Sequence, residues 1–258
     1  MALNFRALCH LGLNMPAAAP PAPSMRAIAL IIVAVSIALG LVYQQVTGFG
    51  FLEWDDAHHI RDNNYLRSLT PENLRWILLN ADIDYWRPIS FLSHGLDFAL
   101  FGDNTAGHHV VSVILHGVNA LLVGAITWVT IGLTGTSATR TQAWLIAALA
   151  ALVFAVHPQH VESTAWLAER KGLLCTGFYL AAVLTYLKGH GTHRTWLKAS
   201  LGCFLLAMFS KPMAVSVPLV LVALDVYPLR RLTFSMSLWS AARIVLAKWP
   251  YLVLAALL

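Results

Sequence analysis

Charge is what this sequence has least of. Asp, Glu, Lys and Arg make up 11% of its 258 residues, against about 25% in an average soluble domain. Hydrophobic residues make up 58%, and the mean hydropathy is +0.67. That balance excludes a soluble globular enzyme. A net charge of +5 and a pI near 9.3 would suggest nucleic acid as the partner of a soluble chain. Here the bases lie in short loops between apolar runs, as orientation signals do, so no nucleic-acid partner is expected. Cysteine is scarce as well: Cys9, Cys175 and Cys203 are too few, and odd in number, for a disulfide framework. Two of them fall inside apolar runs and read as small fillers.

What is present is a series of apolar runs. The first, Arg26 to Phe49, has no charged residue between Arg26 and Glu53, and at about 1.5 Å per residue it is long enough to cross a bilayer. Further runs lie at His109–Leu133, Trp144–Val156, Leu173–Leu187, Trp196–Phe209, Met213–Tyr227 and Ala242–Leu258. The expected fold is all-α, a polytopic membrane bundle of six to seven spans over residues 25–258. Residues 1–24, with Pro16, Pro20, Pro21 and Pro23 among alanines, read as a disordered leader, and Met25 is an alternative start.

Nine of the 12 acidic residues lie between Phe49 and Gly107, against four arginines there. Residues 49–107 therefore read as a large first outer loop. Threading from it puts Arg140, Lys188, Arg194, Lys198, Arg230 and Arg231 on the cytoplasmic side, as the positive-inside bias requires. Arg170, Lys171 and Lys211 are left outside, against the bias. The loop carries its own helix signals. Thr70-Pro71-Glu72-Asn73 resembles an N-cap with proline at the first helical position, and a second amphipathic stretch runs from Pro88 to Phe101. Both are expected to lie on the membrane, with aromatic residues at headgroup depth.

Four constellations are candidates for chemistry. Asp55 and Asp56 stand just beyond the first run, where one carboxylate is suited to act as general base toward an acceptor hydroxyl; a helix N-cap or a solvated acidic loop is the plainer alternative. His157, His160 and Glu162 offer nitrogen and oxygen ligands to a divalent cation, although their spacing matches no zinc signature. Arg170 and Lys171 are suited to a lipid phosphate at the bilayer edge, with snorkelling to headgroups as the alternative. Lys211, in Ser210-Lys211-Pro212, would cost about 2.5–3.5 kcal/mol at the bilayer centre, so it marks a span boundary or faces a polar cavity. Arg87, in Trp86-Arg87-Pro88, is a further candidate. Ser112, His116 and Asn119 recur at i, i+4, i+7 and read as an interhelical hydrogen-bonding stripe rather than a substrate site.

Taken in order, Trp54-Asp55-Asp56, Trp86-Arg87-Pro88-Ile89-Ser90, Leu100-Phe101-Gly102, His108-His109, Leu115-His116-Gly117-Val118-Asn119, His157-Pro158-Gln159-His160-Val161-Glu162-Ser163, Glu169-Arg170-Lys171 and Ser210-Lys211-Pro212 resemble the membrane domain of the transmembrane-and-TPR-repeat O-mannosyltransferases and their bacterial relatives. Those proteins are similar in turn to the protein O-mannosyltransferases of the GT-C class. The resemblance spans about Phe49 to Arg231. It implies a polyprenyl-phosphate-linked sugar donor, mannose by family, a protein or glycan acceptor hydroxyl on the outer face, and inversion at the anomeric carbon. It also implies Asp55 as the catalytic acidic residue with Asp56 as its partner, and, for a bacterial relative, an inner-membrane location with the site in the periplasm. Such proteins continue into further membrane helices and a TPR array with a period of about 34 residues. These residues show no such period and stop at Leu258 inside an apolar run, so the sequence reads as an N-terminal part.

Two other classes compete. A multispan transporter or a non-catalytic membrane scaffold would account for the apolar runs, but a transporter places ionisable residues at the midplane, whereas most here fall at run ends or in the first loop. A membrane metallohydrolase would need a firmer metal motif than His157, His160 and Glu162.

Overall fold

The computed structural model describes residues 24–80 and 86–257. The leader with Cys9, and Asp82 and Asp84 of the acidic loop, lie outside the described residues. Within them every regular element is a helix.

The first helix, α1 (Met25–Tyr43), is capped by Ser24, whose hydroxyl accepts from Ala27 N at 3.2 Å. Only Val35, Leu39 and Tyr43, spaced by one turn, are buried, while Leu30, Val33, Ile37 and Leu41 are exposed. A helix that turns most of its large apolar side chains outward is built for lipid rather than water. The same holds for α4 (Thr105–Thr134), which buries Ser112, His116 and Asn119 and exposes Val110, Ile114 and Val118.

The helix α5 (Arg140–Val156) opens on a capping box between Thr139 and Gln142 and buries Ala143, Ala147, Ala151 and Ala155. That stripe of methyl groups lets the backbone of α4 come close. A Cβ added to Gly124 would stand 3.1 Å from Ala147 O. After the short α6 (Val161–Ala165), α7 (Arg170–Lys188) packs on α4 and on α8 (Arg194–Met208) around Tyr186, Leu187 and Phe204. The chain then turns through Pro212–Ser216 into α9 (Val217–Val226), followed by α10 (Leu238–Leu246) and α11 (Trp249–Leu257).

The polar stripe on α4 does join helices. His116 Nε2 lies 3.0 Å from Ala155 O, Asn119 donates to Leu173 O at 2.9 Å, and Arg170 Nε donates to Ser112 Oγ at 3.2 Å. Gly177 makes room for this, since a Cβ there would stand 2.8 Å from Asn119 Oδ1.

Two helical stretches, Met25–Gly48 and Thr105–Thr134, are long and apolar enough to cross a membrane, and the bent pairs Arg140–Val156 with Pro158–Ala165 and Leu238–Leu246 with Trp249–Leu257 raise the number to four. This falls short of the six to seven expected. The runs at Trp196–Phe209 and Met213–Tyr227 form helices of 15 and 10 residues, about 22 and 15 Å long at 1.5 Å per residue, against a hydrocarbon core of about 30 Å.

Within the segment from Phe49 to Asn104, the described residues 49–80 and 86–104 form a cap over one end of the bundle. Thr70 caps α2 (Pro71–Leu79) by accepting from Asn73 N, with Pro71 at the first position. The second amphipathic stretch, α3 (Pro88–Phe101), differs from expectation. It does not lie apart on a surface but buries Phe91, His94, Asp97 and Phe98 and packs against α2, α4 and α7. Its polar groups explain why: Asp97 finds its counter-charge, Arg170, inside the protein.

Candidate functional site

Three stretches distant in sequence meet at the capped end: the turn after the first span, the segment before α7, and the turn after α8. Asp56 begins the association. Its carboxylate accepts from Leu52 N at 3.0 Å and from Ala168 N at 2.7 Å, and Trp54 stacks on Trp166 with ring centroids 6.3 Å apart. Burial pushes the Asp56 carboxyl above its usual range, against the pull of those amides. The side chain is almost wholly buried, and its acceptor capacity is spent on holding two segments together.

Asp55 is different. Its carboxylate is part-exposed and lies 4.0 Å from Lys171 Nζ. Lys171 in turn is 3.1 Å from Glu169 Oε1, and Glu169 Oε2 accepts from Lys211 Nζ at 3.1 Å. One carboxylate therefore bridges two ammonium groups brought together from α7 and the turn after α8. Burial alone would raise the Glu169 carboxyl, but the flanking Lys211 and Lys171 outweigh it and hold the group below its usual range. The cap reaches the same place: Ile89 N donates to Phe209 O at 3.3 Å, and Trp86 packs on Phe209.

Not every candidate residue joins this cluster. Arg170, expected beside Lys171 as a phosphate cation, is fully buried. Its guanidinium donates to Asp97 Oδ2, Ser93 Oγ, Ser112 Oγ and His108 O, which leaves it committed to the interior. Arg87 is buried too, with its guanidinium carbon 4.9 Å from the Phe91 ring centre. The expected ligand set of His157, His160 and Glu162 is not assembled. His157 Nδ1 accepts from Gln159 N at 3.2 Å, His160 packs against Phe154 and His116, and Glu162 is exposed. Pro158 starts a single 3₁₀ turn there, across which the His157 and His160 rings meet edge-on with centroids 5.9 Å apart.

Sequence reasoning missed Glu169 as a bridge, although it stood in the quoted Glu169-Arg170-Lys171. It also took Asp97 only as one of the nine acids of the first outer loop. The available signal was its position within an apolar helix, where an acid needs a buried partner.

No family model matches the chain, and no solved structure does. Curated proteins do. The chain is 31% identical over 188 residues to the human protein O-mannosyl-transferase TMTC4, covering 65% of this chain and 25% of that protein. It is 31% identical over 220 residues to mouse protein O-mannosyl-transferase TMTC2, covering 77% and 24%, and 28% identical over 229 residues to protein O-mannosyl-transferase Tmtc3 of Drosophila melanogaster, covering 77% and 24%. The chain spans about a quarter of the length of these relatives. All three bear the protein O-mannosyl-transferase name, the group that the ordered motifs resemble.

Proposed function

We propose that this chain is the membrane part of an inverting GT-C glycosyltransferase that moves mannose from a polyprenyl-phosphate donor to a hydroxyl of a protein acceptor. The observation that supports this reading most is the convergence of Asp55, Lys171, Glu169 and Lys211 at one end of the bundle. Inverting transfer needs a base on the acceptor side and positive charge on the leaving-group side, and the cluster offers both within one site.

In this reading Asp55 takes the proton from the acceptor hydroxyl as its oxygen attacks the anomeric carbon. The bond from that carbon to the phosphate oxygen breaks, and the polyprenyl phosphate leaves with the electron pair. Lys171 and Lys211 neutralise the charge that develops on it, and Glu169 keeps the two ammonium groups side by side. Asp56 is a positioning residue that fixes the turn carrying Asp55. The capped end faces the periplasm of a bacterial inner membrane, and a TPR array belongs to the whole protein.

The test is mannose transfer from a labelled polyprenyl-phosphate donor in membranes containing the protein. Asp55→Asn removes the base and keeps the size, so transfer falls by about 10²–10⁴-fold. Parental transfer by a correctly inserted Asp55→Asn protein would take Asp55 out of the mechanism.

A further inference from the structure

Behind the open cluster lies a second group of side chains that the transfer reading leaves without a role. His94 and Asp97 stand three residues apart on α3, and so on one face. His108 approaches them from the first turn of α4. All three are buried, and one ligand atom from each lies within 4.8 Å of the others. Among the described residues they form the one group of His, Cys, Asp and Glu side chains placed in this way.

The protonation pattern makes this arrangement unusual. His108 Nε2 lies 3.0 Å from Gly102 O. A carbonyl oxygen only accepts, so Nε2 carries the proton and Nδ1 of the neutral ring presents a lone pair. That lone pair points toward Asp97 Oδ2 at 3.5 Å. Two acceptors thus face one another in a buried place, and Nδ1 of His108 has no hydrogen-bond partner. Nδ1 of His94 is also buried without one. Left as they are, such atoms carry an unrecovered desolvation cost.

A metal ion resolves the defect at His108 Nδ1, and His94 offers it a second imidazole nitrogen. Ligand bonds of about 2.0–2.2 Å in a tetrahedral arrangement place donor atoms about 3.4 Å from each other. The separation between His108 Nδ1 and Asp97 Oδ2 is long for a hydrogen bond but suits two ligands of one ion. The bond from His108 Nε2 to a backbone carbonyl is the partner that metal-bound imidazoles ordinarily have, fixing tautomer and ring orientation. Asp97 also serves Arg170, yet a carboxylate has about four lone-pair sites and is able to serve a guanidinium and a metal together. The guanidinium opposes a second cation nearby, which sets the expected affinity below that of a site with the carboxylate to itself.

We infer that His94, Asp97 and His108 form a buried site for a divalent transition-metal ion of the zinc class, which joins α3 to α4. Two imidazoles with one carboxylate favour Zn²⁺ over the oxygen-preferring Mg²⁺ and Ca²⁺. The remaining ligand position falls to water. The ion clamps the cap to the bundle next to Arg170, and this role does not rest on the mannosyl-transfer reading.

The test is calorimetric titration of the purified, chelator-stripped chain with ZnCl₂, with the visible spectrum of the Co²⁺ form reporting coordination geometry. The expected result is one Zn²⁺ per chain and a tetrahedral Co²⁺ spectrum. His94→Asn and His108→Asn each weaken binding by at least about 10-fold, and a His157→Asn/His160→Asn double variant binds as the parent does. Absence of stoichiometric Zn²⁺ binding by the parent would overturn the site, and so would parental affinity in the His94 variant. If His108→Asn fails to fold, His94→Asn decides alone, because its Nδ1 has no hydrogen bond to lose.

Discussion

Arg170 and Lys171 are adjacent in sequence and both buried, yet they end among different partners. Arg170 is sealed in, with its guanidinium shared among a carboxylate, two hydroxyls and a backbone carbonyl. Lys171 reaches the edge of the site, where it meets Glu169 at 3.1 Å and Asp55 at 4.0 Å. Successive residues on a helix point about 100° apart, and at the first turn of α7 that angle separates the interior of the cap from its mouth. Arg170 is spent on interior partners, whereas Lys171, also buried, is held by Glu169 and lies within reach of the part-exposed Asp55. The same contrast divides Asp56, tied to two backbone amides, from Asp55, which is not.

This contrast breaks most visibly at Asp97. Asp97→Asn leaves the Arg170 charge buried and unbalanced, which costs about 3–5 kcal/mol. A denaturant titration followed by helical circular dichroism will show the loss, and a parental midpoint would mean that the pair holds nothing. Asp56→Ala is next. It strips the buried Ala168 amide of its acceptor, at about 1–3 kcal/mol, and loosens the turn that carries Asp55.

Lys211→Gln sharpens the comparison from the open side. Lys171 still pairs with Glu169 at 3.1 Å in this variant, so the carboxylate keeps one counter-charge and the chain stays folded, while binding of a polyprenyl phosphate falls. Unchanged binding would leave snorkelling as the role of this lysine. The smallest effect is acidic. Glu169 has a lowered pKa, so its bridge contributes stability above the ordinary carboxylate pKa of about 4.3 and loses it as the pH falls through the lowered value. The stability difference between the parent and Glu169→Gln should therefore hold at neutral pH and shrink only in acid. A difference that shrinks between pH 6 and pH 8, about where histidine titrates, would place the effect elsewhere.

Much of the local structure was legible. The Thr70-Pro71 signal marks the start of α2, and the spacing of Ser112, His116 and Asn119 marks a stripe that does join helices. Lys211 lies in the turn between α8 and α9, at the end of an apolar run rather than inside one. The count of spans was less legible, because an apolar run states what a segment avoids but not how long it stays helical. The turn at Lys211-Pro212 leaves α9 with 10 residues.

By itself, the sequence determined that this is an all-helical membrane chain, because so little charge over so many apolar residues has no soluble solution. It determined the candidate groups too, because an acid or a cation beside an apolar run must have a reason to be there. Which partners two adjacent charges would take was settled only in three dimensions. Glu169 bridges Lys171 and Lys211 across 2 and 42 residues of sequence, and Asp97 meets Arg170 across 73. The energy of a charge depends on its burial and on the atoms within a few ångströms, and neither is fixed until the helices have packed.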